Sequence, residues 1–290
     1  MAVDLFKPTL WSKMLINNMD KALVFGNVVN RNVEGEIKKG NQLKINELGD
    51  ITISDYTSTG GVTYQTLGDA SKTLVIDKDK YFAFDVDDAD AVQSNVELFS
   101  AATQRAGFHM ADTFDSHIAS LHTEAGVLNS VLGSATTGIN VYANDMVKVV
   151  SDMGYLLDYA NCPSTERWII WPSVLWQYLI YAEIVAGANY PDSPNSPAYM
   201  NSSSPGEFTR MGFTHFRSNN VEYNATRTAW SVMFGHKSAI AAAVQIDKVE
   251  AVRRDAYFAD GIRGRMVYGA KVVRPNRLGL ARIFNSGVTS

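Results

Sequence analysis

"LVFGNVVNRNVEGEIKKGNQLKINELGDITISDY", residues 23–56, is the stretch on which the architecture turns. A short amphipathic run gives way at once to a period of two. Leu43 and Ile45 alternate with polar neighbours in "QLKINEL", and Ile51 and Ile53 do so in "DITISDY". Such alternation predicts strands with one apolar face. "KTLVIDK" and "YFAFDV" continue it, with Gly40, Gly49–Asp50, Gly60–Gly61 and Gly68–Asp69 as turns. Residues 34–86 therefore read as a long β-ribbon whose polar, glycine-rich tip lies within 57–70. A two-stranded ribbon is marginal in water and carries unpaired edges, so it needs a surface to lie on.

On the N-terminal side, Trp11, Met14, Leu15, Met19, Ala22 and Leu23 share a face, predicting a helix over 9–25 after Pro8. On the C-terminal side, Asp87, Asp88 and Asp90 suit a helix start. Val92, Val96, Phe99, Thr103, Ala106, Met110, Phe114, Ile118 and Leu121 then recur at steps of three or four. A continuous helix over about 88–125 would span roughly 55 Å, with Gly107 as a place for a bend.

Beyond a glycine- and threonine-rich link (126–138), Met146, Val149, Val150, Met153, Leu156, Leu157 and Ala160 predict a second helix, capped by Asn144. "RWIIWP" reads as a buried strand, and Ser173 to Gly187 as another helix. Residues 189–208, with four prolines and five serines, read as a long surface loop. "FTHFRSNNVEY" and "WSVMFGHKSAIAAAVQIDKVEAVRR" supply further strands and a small-residue turn. "RMVYGAKVVRP" and "RLGLARI" read as a final strand pair.

Composition narrows the function. The chain has 290 residues and a net charge of −4, which argues against general polyanion binding. A single cysteine, Cys162, excludes an internal disulfide framework and suits a reducing cytoplasm. No basic-then-apolar leader and no apolar run near 18 residues are seen, so neither secretion nor membrane spanning is expected. Charge is placed unevenly: 47–97 holds eleven acids and three bases, whereas 248–282 holds nine bases and three acids. Such segments can pair within the fold or between copies.

No reaction site assembles from the sequence. No Walker pattern, strand-to-helix G-x-G-x-x-G or G-x-S-x-G is present, and "GIRGRMVYG" is basic and β-like. His109, His117 and His122 are separated by eight and five residues, so no two share an i, i+4 face as metal ligands would. His109 and Asp112 read as a surface hydrogen bond, and Cys162 as a small buried thiol. No catalytic residue, cofactor or metal is assigned, and the chain is not expected to be an enzyme. An α/β enzyme with 189–208 as a lid, and a tail, decoration or surface-layer subunit, are the weaker alternatives.

The order of elements resembles the major capsid (coat) proteins of tailed bacteriophages, with their Hong Kong 97 type shell fold. The phrases that carry the resemblance are "FGNVVNRNVEGEIKKGNQLKINELGDITISDY", "LVIDKDKYFAFDVDDADAVQ", "LLDYANCPSTERWIIWP" and "VYGAKVVRPNRLGLA". It implies an α+β chain in five parts. Residues 1–33 would be an N-terminal arm, 34–86 an extended β-hairpin loop, and 87–138 a peripheral domain with a spine helix. Residues 139–238 would be an α/β axial domain, and 239–290 the peripheral return. It implies a virion protein made in the host bacterial cytoplasm, self-assembling as hexamers and pentamers into an icosahedral shell. Its partners would be a separate scaffolding protein (the arm is short), a portal and a decoration protein; packaged DNA would be touched only weakly, and no membrane. A cross-link to a neighbour through Lys72 or Lys78 is left open. Joined to the charge asymmetry, the resemblance implies that the acids Asp50, Asp55 and Asp69 meet Arg253, Arg254, Arg263 and Arg265 of an adjacent copy.

Overall fold

The computed structural model describes residues 24–32, 42–48, 51–56, 64, 69–87, 98–124, 131–133, 138–141, 145–179, 207–224, 229–253 and 259–284. Residues 9–23 of the helix expected over 9–25, the start of the long helix at 88–97, nearly all of the 189–208 loop, the Asn144 cap, Asp50 and Arg254 lie outside these residues.

Two strands, β1 (Gln42–Leu48) and β2 (Asp69–Val75), pair antiparallel from Gln42 opposite Val75 to Leu48 opposite Asp69. This is the ribbon. The segment 51–56 forms no strand, although Ile51 and Ile53 alternate. β3 (Lys78–Asp87) leaves it and joins a three-stranded sheet in the order β11–β12–β3, with β11 Ile240–Arg253 and β12 Ala259–Val272. A register shift between Val244 and Ile246 marks a bulge in β11.

The larger sheet runs β4–β13–β10–β6–β8–β7. Its strands are β4 (Val131–Leu132), β13 (Leu278–Phe284), β10 (Ala229–His236), β6 (Arg167–Trp171), β8 (Phe213–Arg217) and β7 (Glu207–Arg210). The short strands β5 (Ile139–Asn140) and β9 (Tyr223–Asn224) pair with β13 and β10. β6 is buried along its whole length because both faces of this sheet are covered. Trp168 and Ile170 enter the core shared with helix α2 (Leu98–Ser120), whereas Ile169 and Trp171 enter the core under α3 (Met146–Tyr159) and the helix at 173–179. β12 and β13, expected as a pair, part company at the 3₁₀ turn Pro275–Arg277 and enter different sheets. The larger sheet thus draws β4 and β13 from outside 139–238.

α2 spans 23 residues, roughly 35 Å, and passes through Gly107 without a break. Phe114, Ile118 and Leu121, on its inner face, are buried. Asp115, between them, is 1% exposed. Its Oδ1 accepts from the backbone N–H groups of Val24 (3.0 Å) and Gly26 (3.1 Å), at the start of the four-residue helix α1 (Phe25–Val28). Its Oδ2 accepts from the Asn220 side-chain amide at 2.8 Å. Two residues after α1, Asn30 exchanges backbone hydrogen bonds with Ile240 and Ala242 of β11.

Burial pushes the Asp115 carboxyl above its ordinary value, although Asn220 and the α1 amides pull the other way. A raised native pKa means that stability from this group is complete below about pH 4 and declines as pH rises through the native value. Asp115→Ala strands two amide donors and Asn220, and should cost about 3 kcal/mol, read by denaturant unfolding of the free subunit. The wild-type advantage over Asp115→Ala should be largest in mild acid and shrink towards neutral pH; an advantage that grows with pH would contradict the assigned burial.

Candidate intersubunit interface

The ribbon is seated on its own subunit only at its base. Leu74 and Ile76 are buried with Ala241, Ala243 and Val273, and Leu43, Ile45 and Val267 pack against them. The Lys72 ammonium donates to the Val273 carbonyl, and Lys78 lies 3.1 Å from Asp77. Gly269 makes this seat possible: a Cβ there would stand 2.2 Å from the Val75 carbonyl oxygen and 2.9 Å from Ile76 Cα. Beyond the base the described large apolar side chains are exposed. Ile51 is 71% exposed, Ile53 96%, Tyr56 73% and Tyr64 91%.

The three-stranded sheet is similarly open. Register places Tyr81, Ala83, Glu250, Arg263 and Arg265 on one face, and Phe82, Phe84, Ile262 and Gly264 on the other. Tyr81 is 80% exposed. The Phe82 ring covers Gly264, where a Cβ would come within 2.3 Å of it, and stacks on Phe84 at 6.2 Å. A shallow depression of about 600 Å³ is bounded by Tyr81, Phe82, Ala83, Glu250, Arg263, Gly264 and Arg265.

The expected acid and base groups are not brought together within one chain. Asp55 is exposed in 51–56, and Asp69 opens β2 at the outer end of the ribbon. Arg253 closes β11 opposite Asp260. Arg263 and Arg265 have partners that the sequence did not reveal. Arg263 donates to Glu250 from Nε (3.2 Å) and Nη2 (2.9 Å). Arg265 grips both Asp79 oxygens, with Nε at 2.9 and 3.1 Å and Nη2 at 2.5 Å. That hydrogen bonding holds the Asp79 carboxyl below its ordinary value and raises Arg265. The acidic and basic segments thus pair partly inside the fold, through Asp79, which was counted among the acids but not singled out. Strand register across 186 positions is what joins them.

The polar residues of the other half are structural. Arg167 is buried and donates to the carbonyls of Pro163 and Cys162 and to Asp158. Trp171 Nε1 donates to His215 Nδ1 at 3.0 Å. Cys162 is buried, and burial pushes its thiol up. Asp112, expected to meet His109, accepts instead from Asn220 at 2.9 Å. Among the described residues no three His, Cys, Asp or Glu side chains form a group able to hold a metal ion.

No protein-family model matches the sequence, and no curated protein does. Solved structures do. The chain is similar to one titled "Mycobacterium phage Che8", with 29% identity and a TM-score of 0.78, over 97% of this chain and 98% of that one. It is also similar to one titled "Capsid structure of the Cyanophage P-SCSP1u" (17%, TM-score 0.77, 98% and 94%). A third, "Cyanophage Pam1 capsid asymmetric unit", matches at 12% identity and a TM-score of 0.68, over 97% and 98%. The chain has the Hong Kong 97 type capsid fold. We refer below to β1–β2 as the loop, to α2 as the spine helix and to the large sheet as the axial sheet, after the parts that the resemblance implies.

Gly269→Ala should unseat the extended loop while sparing the axial core. A cost of about 2 kcal/mol and faster proteolysis between Val75 and Lys78 are expected; unchanged melting and cleavage would contradict the close approach.

Proposed function

We infer that this chain is the major capsid protein of a tailed bacteriophage, self-assembling into the icosahedral shell around the double-stranded DNA genome. The observation that carries the reading is the uncovered apolar run Ile51, Ile53, Tyr56 and Tyr64, on a subunit with the capsid fold. A soluble monomer gains nothing by displaying it, whereas a neighbouring copy that covers it gains about 1.5–3 kcal/mol for each large side chain buried. Extended segments of this kind give heterologous contacts, which close into rings of six and five copies.

Charge has the smaller share. In this reading Asp50, Asp55 and Asp69 of the loop face Arg253, Arg254, Arg263 and Arg265 of the next copy. The Arg263 and Arg265 side chains, 64% and 59% exposed, keep surface for such contacts beside their own carboxylates. Exposed pairs are worth roughly 0.2–1 kcal/mol each, so they set register more than strength. Repetition over many copies turns weak contacts into a durable wall. The role is structural rather than catalytic. A separate scaffolding protein, a portal and a decoration protein are the further partners, the subunit is made in the host cytoplasm, and a net charge of −4 suits a wall that encloses DNA without gripping it.

Negative-stain microscopy of the purified chain, with and without a co-expressed scaffold, should show closed polyhedral particles; tubes, sheets or small discrete oligomers alone would overturn the reading. The double substitution Ile53→Asp with Tyr56→Asp should abolish particles while shifting the melting temperature of the free subunit by less than about 2 °C.

A further inference from the structure

The spine helix and the axial sheet are tied by two side-chain latches on one short loop. Asn220 reaches Asp112 and Asp115 of α2, and Glu222 reaches His122 in the 3₁₀ turn that ends α2. The second latch is unusual in its chemistry. His122 Nε2 lies 2.5 Å from Glu222 Oε2, while Nδ1 lies 3.0 Å from the Ala119 carbonyl oxygen. Both ring nitrogens therefore face acceptors. A neutral imidazole has one N–H and can satisfy only one of them; an imidazolium satisfies both.

The two ends of the latch are anchored separately. The Ala119 carbonyl belongs to α2, and the Glu222 carbonyl accepts from Ser231 N–H of β10 at 2.9 Å. Opening the contact thus separates the end of the spine helix from the axial sheet. Other ionisable groups around it are engaged elsewhere. Glu124 accepts from Val272 N–H at 3.2 Å, His117 packs edge-on against Tyr268 with Lys78 and Asp77 facing it, and Asp112 and Asp115 hold Asn220.

We propose that His122 and Glu222 form a proton-operated clasp between the spine helix and the axial sheet, tight when His122 carries both ring protons and loosened when it loses one, because one acceptor then goes unmet and the pair loses its opposite charges. The contact depends on which ring nitrogens carry protons, because both of them face acceptors. It is a property of the single subunit and does not depend on the shell reading.

The test is amide hydrogen exchange of the full-length chain at about pH 5.5 and about pH 8, corrected for intrinsic rates, with ¹⁵N-histidine spectra alongside. Protection of residues 220–224 should fall about tenfold or more at the higher pH in the wild type. It should be nearly pH-independent in His122→Gln and in Glu222→Gln, the latter at a half-exposed side chain whose replacement leaves the fold intact. The ring signal that is lost in His122→Gln and shifted in Glu222→Gln should show both nitrogens protonated at the lower pH. An equal fall in the variants, or a His122 ring still neutral at the lower pH with the loop protected, overturns the clasp.

Discussion

One buried carboxylate ties the N-terminal segment to the body of this subunit. Asp115 sits on the inner face of the spine helix, and three chain segments meet on it: the helix itself, α1 91 residues earlier, and the Asn220 loop 105 residues later. Burying a carboxylate costs several kcal/mol, and its raised pKa records that cost. A leucine could fill the space, but it would not tell α1 where to start. Directional bonds to Val24 and Gly26 fix where the arm enters, and Asn30 then fixes where it meets β11. An element that must be presented to another molecule needs that register more than it needs apolar burial.

From this anchor outward, cover decreases. The large sheet is sandwiched on both faces, the seat of the loop has one small cluster of its own, and the described residues 51–56 and the outer part of the three-stranded sheet around Tyr81 face solvent. The gradient is the physical signature of a molecule whose folding is finished by its neighbours.

What the sequence made legible was local. Alternation at Leu43 and Ile45 located β1, the spacing of Met146 to Leu157 located α3, and an unbroken apolar "RWIIW" located the central strand. Partners were not legible. "YFAFDV" read as ribbon because its period is that of the ribbon, yet its hydrogen bonds go to β12, some 180 residues away. "RLGLARI" read as the mate of β12, yet it crosses to β10. Ile51 and Ile53 have a strand's alternation without a strand, because periodicity reports which side chains could share a face, not whether another backbone lies alongside. The same limit hid Asp79 and Glu250 as the partners of Arg265 and Arg263: only register puts them on one face.

Those two ion pairs also explain how the outer part of the three-stranded sheet, beyond its buried Tyr268 and Val272, keeps its shape. On one face, Arg265 clamps Asp79 across neighbouring strands and Arg263 clamps Glu250, so all three strands are stitched by fork-to-carboxylate contacts. On the other, Phe82 lies over Gly264 and supplies the side chain that the glycine lacks. Exposed pairs add little to stability. Their value lies in preorganisation: a surface already rigid loses less side-chain freedom when a partner settles on it, and more of the contact energy survives as binding. The charge of Arg263 and Arg265 is thus used within the subunit, to lock β3, β11 and β12 together.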